Sequence, residues 1–411
     1  MDYKNKFSKN IFTEVIPEDP KQQLQIEEKK VEQNEKKSIT PIEKKLEEEE
    51  KKEIPKKNDD PPIKKEENIS SKDIRKNIKI EKIINQQFIN ITELKNLCWQ
   101  GIPFNNNHLR GECWKFLLGF YPLNSELKKN AVQRKKDEYS DMCRIYSNAL
   151  SNPDSVMNDQ ELKTYKQIQK DVPRTMPEYP MFQNEKIKFM LTRILYIWSM
   201  RHPASGYVQG FNDLCVPFFV VFFLEFFDKI NINELLFKNN EELNNIDEDN
   251  YFELETDIYY SLTKLLDRIQ TNYTHNQPGI IKMIKRMELI IETVDKELYD
   301  YLKEKEIDYV QFCFRWMNCF LIREFPINLM IRLWDTYFSE ENGFSDFHLY
   351  VCACLLLGFS EKLKQMTEFQ DLIVFLQNLP TTQWNLEDID ILLAKAYSIR
   401  ELYSSIFKDK E

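Results

Sequence analysis

The sequence predicts an all-α fold, a single large multi-helix domain preceded by a charged leader. Three observations carry this reading. From position 91 onward, apolar residues recur at helical spacing in one segment after another. No run of alternating or β-branched residues bounded by turn signals builds a strand series. Glycine is scarce, 8 in 411 residues, where average usage would give about twenty-nine, so little is left for hairpin turns.

Residues 1–88 read as a disordered leader. Residues 1–90 hold 21 Lys and Arg against 20 Asp and Glu, so the leader is nearly neutral and residues 91–411 carry a net charge of −11. Such a segment cannot bury enough apolar surface to offset its ordering entropy. Its Glu and Lys blocks over 26–53 favour helix, but Pro41 interrupts them and no apolar heptad is sustained.

The elements of the domain come in order. Thr92 can cap a helix carrying Leu94, Leu97, Cys98 and Trp99, stopped by Gly101 and Pro103. Asn107 can cap the next, with Leu109, Cys113, Trp114 and Leu117, closed by Gly119 and Pro122. Residues 186–200 are apolar nearly all round, the pattern of a buried helix. Ile258, Leu262, Leu265, Leu266 and Ile269 form one stripe of another. Pro278 at a first-turn position opens a long helix whose apolar residues, Ile280 to Leu298, alternate steps of four and three. Further helical patterns cover 310–324, 326–338, 347–359, 368–377 and 386–407. No Pro/Gly/Ser linker divides 91–408, which predicts one domain with its C-terminal half starting at about 278. Residues 231–250, rich in Asn, Glu and Asp, read as an acidic surface loop.

Composition excludes several functions. The acidic balance argues against nucleic-acid binding, which wants a basic face. Cys215, Cys313, Cys319, Cys352 and Cys354 lie inside apolar runs, as buried free thiols do. The four histidines, His108, His202, His275 and His348, show no metal-ligand spacing. No phosphate loop, GxGxxG, HExxH or GxSxG is present. The longest apolar run is twelve residues, too short for a membrane span. With no signal peptide or lipidation box, the expectation is a cytoplasmic protein.

The most informative stretch is His202-Pro-Ala-Ser-Gly206-Tyr207-Val-Gln209-Gly210-Phe-Asn212-Asp213, where two of the eight glycines bracket one glutamine. Glycine there frees the backbone on both sides of an amide side chain, so that something can approach closely. Thirty-five residues upstream stands Ile168-Gln-Lys-Asp171-Val-Pro-Arg174. Geometry permits the two to meet. A fifteen-residue helix holds its ends about 22 Å apart, and an extended 175–185, with Pro177 and Pro180, can run back along it.

Together these segments resemble the IxxDxxR and YxQ motifs of the TBC-domain (Rab GTPase-activating) family. Arg110-Gly-Glu-Cys-Trp114 is similar to its RxxxW motif, with Arg110 and Trp114 on one helix face in a scaffold role. The resemblance covers about 92–405 and is strongest to the member-22 subgroup, through Trp99-Gln-Gly-Ile-Pro103, Phe314-Arg-Trp-Met-Asn318 and Ile331-Arg-Leu-Trp-Asp-Thr336. Phe211, where the family often has Met or Ile, is a mild departure.

The resemblance implies that Arg174 is an arginine finger and Gln209 a glutamine finger, both inserted into a GTP-bound Rab. A guanidinium offers fixed planar donors to phosphoryl charge, and a carboxamide can both accept from and donate to an attacking water. In these terms Asp171 orients and charge-balances Arg174, Tyr207 fixes the loop, and Asn212 and Asp213 tie its exit, with Ile168 a further supporting residue of the motif. GTP and Mg²⁺ belong to the Rab, and the chain needs no cofactor of its own. Subgroup likeness implies Golgi and secretory-pathway Rabs; peripheral recruitment to membranes is expected to run through partners or the leader. A second reading keeps the fold as a Rab-GTP-binding effector or scaffold without catalysis; the presence of both Arg174 and Gln209 speaks against it.

Overall fold

The computed structural model describes residues 71–227, 230–238, 243–244, 246–274 and 276–408. Residues 1–70 of the expected leader, and His275, lie outside them. Among the described residues there is no strand, only an isolated bridge between Phe88 and Asn124.

The first helix corrects the leader's boundary. Residues 71–88 are not all leader, because Ser71–Ile84 forms α1 and buries Asn77, Ile80 and Ile83. Their three-residue spacing makes one face, which packs against α2 (Ile91–Trp99) and α3 (Asn107–Leu117). Asn90 caps α2 and Asn106 caps α3, each accepting a backbone N–H three residues on, at 3.2 and 3.1 Å. The caps expected at Thr92 and Asn107 therefore move outward. Asn107 instead donates to the carbonyls of Phe227 and Ile230, at 2.7 and 2.9 Å.

Beyond them come α4 (Lys128–Ser151) and α5 (Asp159–Asp171), the latter opened by a reciprocal Asn158–Glu161 capping box. The predicted buried helix is α6 (Glu185–Arg201), capped by Asn184. At the centre runs α7 (Phe211–Leu224), every residue of which is buried. It packs against α3, α6 and α8 (Glu248–Arg268). The 231–250 segment is not simply a surface loop. Its Ile232, Leu235, Leu236 and Leu243 are buried.

The C-terminal half comprises α9 (Pro278–Val294), α10 (Lys296–Glu304), α11 (Val310–Cys319), α12 (Ile327–Ser339), α13 (His348–Leu357), α14 (Phe369–Gln377) and α15 (Leu386–Lys408). The single helix expected through Leu298 breaks at Asp295, whose side chain caps α10 by accepting from Leu298 N at 2.9 Å. The pattern expected over 310–324 ends early, because Phe320 and Leu321 turn left-handed at φ 48° and 63°. Both halves meet where α7 packs on α11 and α12.

Candidate functional site

Arg174 closes a short 3₁₀ turn, Val172–Arg174, that continues directly from α5. Ile168 and Val172 are fully buried beneath it, which fixes the turn while Arg174 stays exposed. Gln209 lies on the loop between α6 and α7 and is also exposed. Among the described residues neither side chain has a hydrogen-bond or ion-pair partner. Nothing there must be broken for either to reach into another molecule.

The backbones behind them are cross-linked. Tyr207 donates its hydroxyl to Asp171 Oδ2 at 2.9 Å. Asn212 Nδ2 donates to Thr175 Oγ1 at 3.0 Å, and Asn212 Oδ1 accepts from Gly210 N at 3.2 Å. Residues on each side of Gln209 thus grip residues on each side of Arg174. Burial pushes the Tyr207 phenol well above the usual tyrosine value, and the adjacent Asp171 carboxylate adds to the shift, so the hydroxyl stays a donor.

This arrangement corrects three expectations. Asp171 does not pair with Arg174; its carboxylate takes Tyr207 and the Gln167 amide, the latter at 3.1 and 3.2 Å. Residues 175–185 are not extended, since Met176 is left-handed at φ 42° and Pro180–Gln183 forms a 3₁₀ turn. The two segments still converge, through side-chain bonds rather than chain length alone. The two glycines also differ. Gly206 (φ 63°) faces open space, whereas at Gly210 (φ 106°) a Cβ would stand 2.4 Å from the Asn318 amide nitrogen of the same chain. The close approach at Gly210 is internal.

Asp213 is held from the C-terminal half. Arg323 forks onto its two oxygens at 2.8 and 3.0 Å. Burial pushes the Asp213 carboxyl up, and the Arg323 charge opposes that shift. Asn318 donates to the Gln209 carbonyl at 2.9 Å. Neither Arg323 nor Asn318 is marked by motif or spacing; Phe314-Arg-Trp-Met-Asn318 enters only as part of the resemblance.

Arg110 and Trp114 stand away from these loops as expected of a scaffold. Both bond the fully buried Asp335, Arg110 Nε at 3.2 Å and Trp114 Nε1 at 2.7 Å. Arg110 Nη2 also donates to the Ile102 carbonyl, and Ile102 N donates to Asp335 at 2.8 Å. One carboxylate therefore joins α3, the turn before it and α12.

The five cysteines expected to be buried are buried and unpaired. His348 is fully buried between Tyr337 and the Trp316 carbonyl, and burial lowers its imidazole to about 3, keeping it neutral. No cluster of possible metal ligands occurs among the described residues, and no described helix is long and apolar enough to cross a membrane.

Residues 107–364, more than half of the chain, match the Rab-GTPase-TBC domain model. The chain belongs to this family. It is 40% identical over 334 residues to human TBC1 domain family member 22B, and 41% identical over 330 residues to the GTPase-activating protein gyp1 of Schizosaccharomyces pombe. These matches span 80% and 79% of this chain but 63% and 61% of the relatives' own lengths. The crystal structure of the Ypt/Rab-GAP domain of Gyp1p superposes with a TM-score of 0.74 at 38% identity, over 80% of this chain and 99% of that one.

Proposed function

We propose that this chain accelerates GTP hydrolysis by a Rab GTPase, supplying Arg174 and Gln209 in trans. The carrying observation is that two exposed side chains, without partners among the described residues, project from loops cross-linked by Tyr207–Asp171 and Asn212–Thr175. Such preorganisation costs little at the moment of reaction, which is what transition-state stabilisation needs. Relatives named as GTPase-activating proteins support the same reading.

In this scheme Arg174 places its planar donors against the charge developing on the transferred phosphoryl. Gln209 holds the attacking water, accepting from it through Oε1 and donating through Nε2. GTP and Mg²⁺ arrive with the Rab. The activity places the chain at Rab-bearing membranes in vesicle traffic, with Golgi and secretory compartments as the first to examine.

Single-turnover hydrolysis across a panel of GTP-loaded Rabs tests this. At least one Rab should be accelerated, and Arg174→Lys should remove most of an effect on the order of 10³–10⁵ without moving the thermal midpoint. Binding of GTP-loaded Rab with no acceleration by the wild-type chain would replace this reading with the effector one.

A further inference from the structure

The glutamine loop is anchored from the other half of the domain by one amide. Asn318, next to last in α11, donates Nδ2 to the Gln209 carbonyl at 2.9 Å. The residue is 6% exposed and is itself held: its carbonyl accepts from the Tyr273 hydroxyl at 2.8 Å, and its Oδ1 from Gln277 Nε2 at 3.4 Å. Gly210, the residue after Gln209, leaves room for it, because a side chain there would collide with the same nitrogen.

The bond falls on the peptide group joining Gln209 to Gly210. Glycine visits both signs of φ with little cost, so Gly210 by itself does not fix the tilt of that peptide. Rotating the peptide swings the Cα–Cβ direction of Gln209 and carries its carboxamide with it. The Asn212 contact holds the Gly210 N–H side, and Asn318 holds the carbonyl side. No bond of Asn318 among the described residues goes to the segment bearing Arg174.

We propose that Asn318 is a positioning residue for the glutamine finger: by clamping the Gln209 carbonyl it sets the direction in which the Gln209 side chain leaves the surface. Arg174 stands on the turn after α5, to which Asn318 makes no bond among the described residues, so the clamp acts first on Gln209. This rests on the Rab-GAP reading of Arg174 and Gln209.

Asn318→Ala removes the donor, and Asn318→Asp keeps the shape while setting a carboxylate oxygen against the carbonyl. With a responsive Rab, both should slow single-turnover hydrolysis at saturating chain on the order of 10–100-fold, as a misplacement of about 1 Å does. The half-saturating concentration should stay within about threefold, since Asn318 is buried and offers no surface for a partner to touch. On a Gln209→Ala background the same substitutions should add less than about a twofold change, because the group they aim is already gone. Asn318→Ser, smaller and still polar, substitutes for either variant that does not fold, with circular dichroism and a thermal midpoint recorded for each.

If the wild type accelerates no Rab, the underlying GAP reading fails. If wild type is active and Gln209→Ala is slow, yet folded Asn318 variants match wild type, the clamp assignment alone is wrong. Equal losses on both backgrounds, or a raised half-saturating concentration at unchanged maximal rate, would assign Asn318 to general scaffolding and overturn it as well.

Discussion

The hydroxyl of Tyr207 meets Oδ2 of Asp171 at 2.9 Å across 36 positions of sequence, and this bond ties the loop of Gln209 to the turn of Arg174. Asp171 is buried, 4% exposed, and the other partner of its carboxylate is the Gln167 amide. Hydrogen bonds to an ionised group are the stronger kind, about 1.5–3 kcal/mol.

Tyr207→Phe keeps the ring, with its edge contact to Phe211, and removes the hydroxyl. Urea denaturation should show a loss of about 1–3 kcal/mol. On the proposed function, Rab-stimulated hydrolysis should fall more than that stability loss explains, because Arg174 and Gln209 lose their common reference. A folded Tyr207→Phe chain with full stimulation would show that the cross-link is not what aligns them.

Gly111 sits inside α3 with the Glu225 carboxylate where a side chain would begin; a Cβ would lie 1.7 Å from Oε1. The other oxygen, Oε2, is paired with Lys115 at 3.0 Å, so the carboxylate cannot withdraw without loosening that pair. Gly→Ala inside a helix ordinarily gains about 1 kcal/mol. Overpacking a filled core costs about 1–3 kcal/mol, and here it also disturbs a buried ion pair. Gly111→Ala should therefore lower the midpoint of denaturation; a rise would mean that Glu225 relocates freely.

Glu225 also makes stability depend on pH. Burial raises its carboxyl to about 7, opposed by Lys115 and reinforced by Asp257. Asp257 is itself raised by burial, Lys115 is within 2.8 Å of it, and Glu112 and Tyr121 complete the surroundings. Between the ordinary glutamate value and about 7, the folded chain holds a proton that the unfolded chain has lost. Its stabilising effect is complete below that window and is lost as pH rises through it. Glu225→Gln should shrink the fall in thermal midpoint between pH 5 and pH 7.5, leaving the part due to Asp257. Identical falls in both proteins would contradict the assignment.

Much of this was legible in the sequence. The proline at the start of α9, the apolar girth of α6 and the apolar settings of the cysteines each report a local physical preference, and each appears where expected. The elements that were missed announce themselves weakly. In α4, 24 residues long, Tyr139 and Met142 are the buried positions, too few to set up a visible period. In α1 three buried positions lie among charges, which resemble a solvated tail until α2 and α3 supply a surface to cover. At the site, the motif segments stand out in the sequence by residue type and spacing, and the fold brings them together. Asn318 and Arg323 were not, since their role depends on a contact across more than a hundred residues. The partner of Asp171 differs from what the resemblance implied: in place of Arg174, the fold supplies Tyr207 from 36 positions away.

The most direct measurement removes water-positioning groups from each side in turn. Single-turnover hydrolysis is followed for wild-type and Gln209→Ala chains, each with a wild-type Rab and with a Rab whose own water-orienting glutamine is changed to alanine. If Gln209 supplies the amide in trans, stimulation survives loss of the Rab glutamine and collapses with Gln209→Ala whichever Rab is used. Stimulation that persists in Gln209→Ala and vanishes only when the Rab glutamine is removed would contradict the assignment of Gln209 as a catalytic finger.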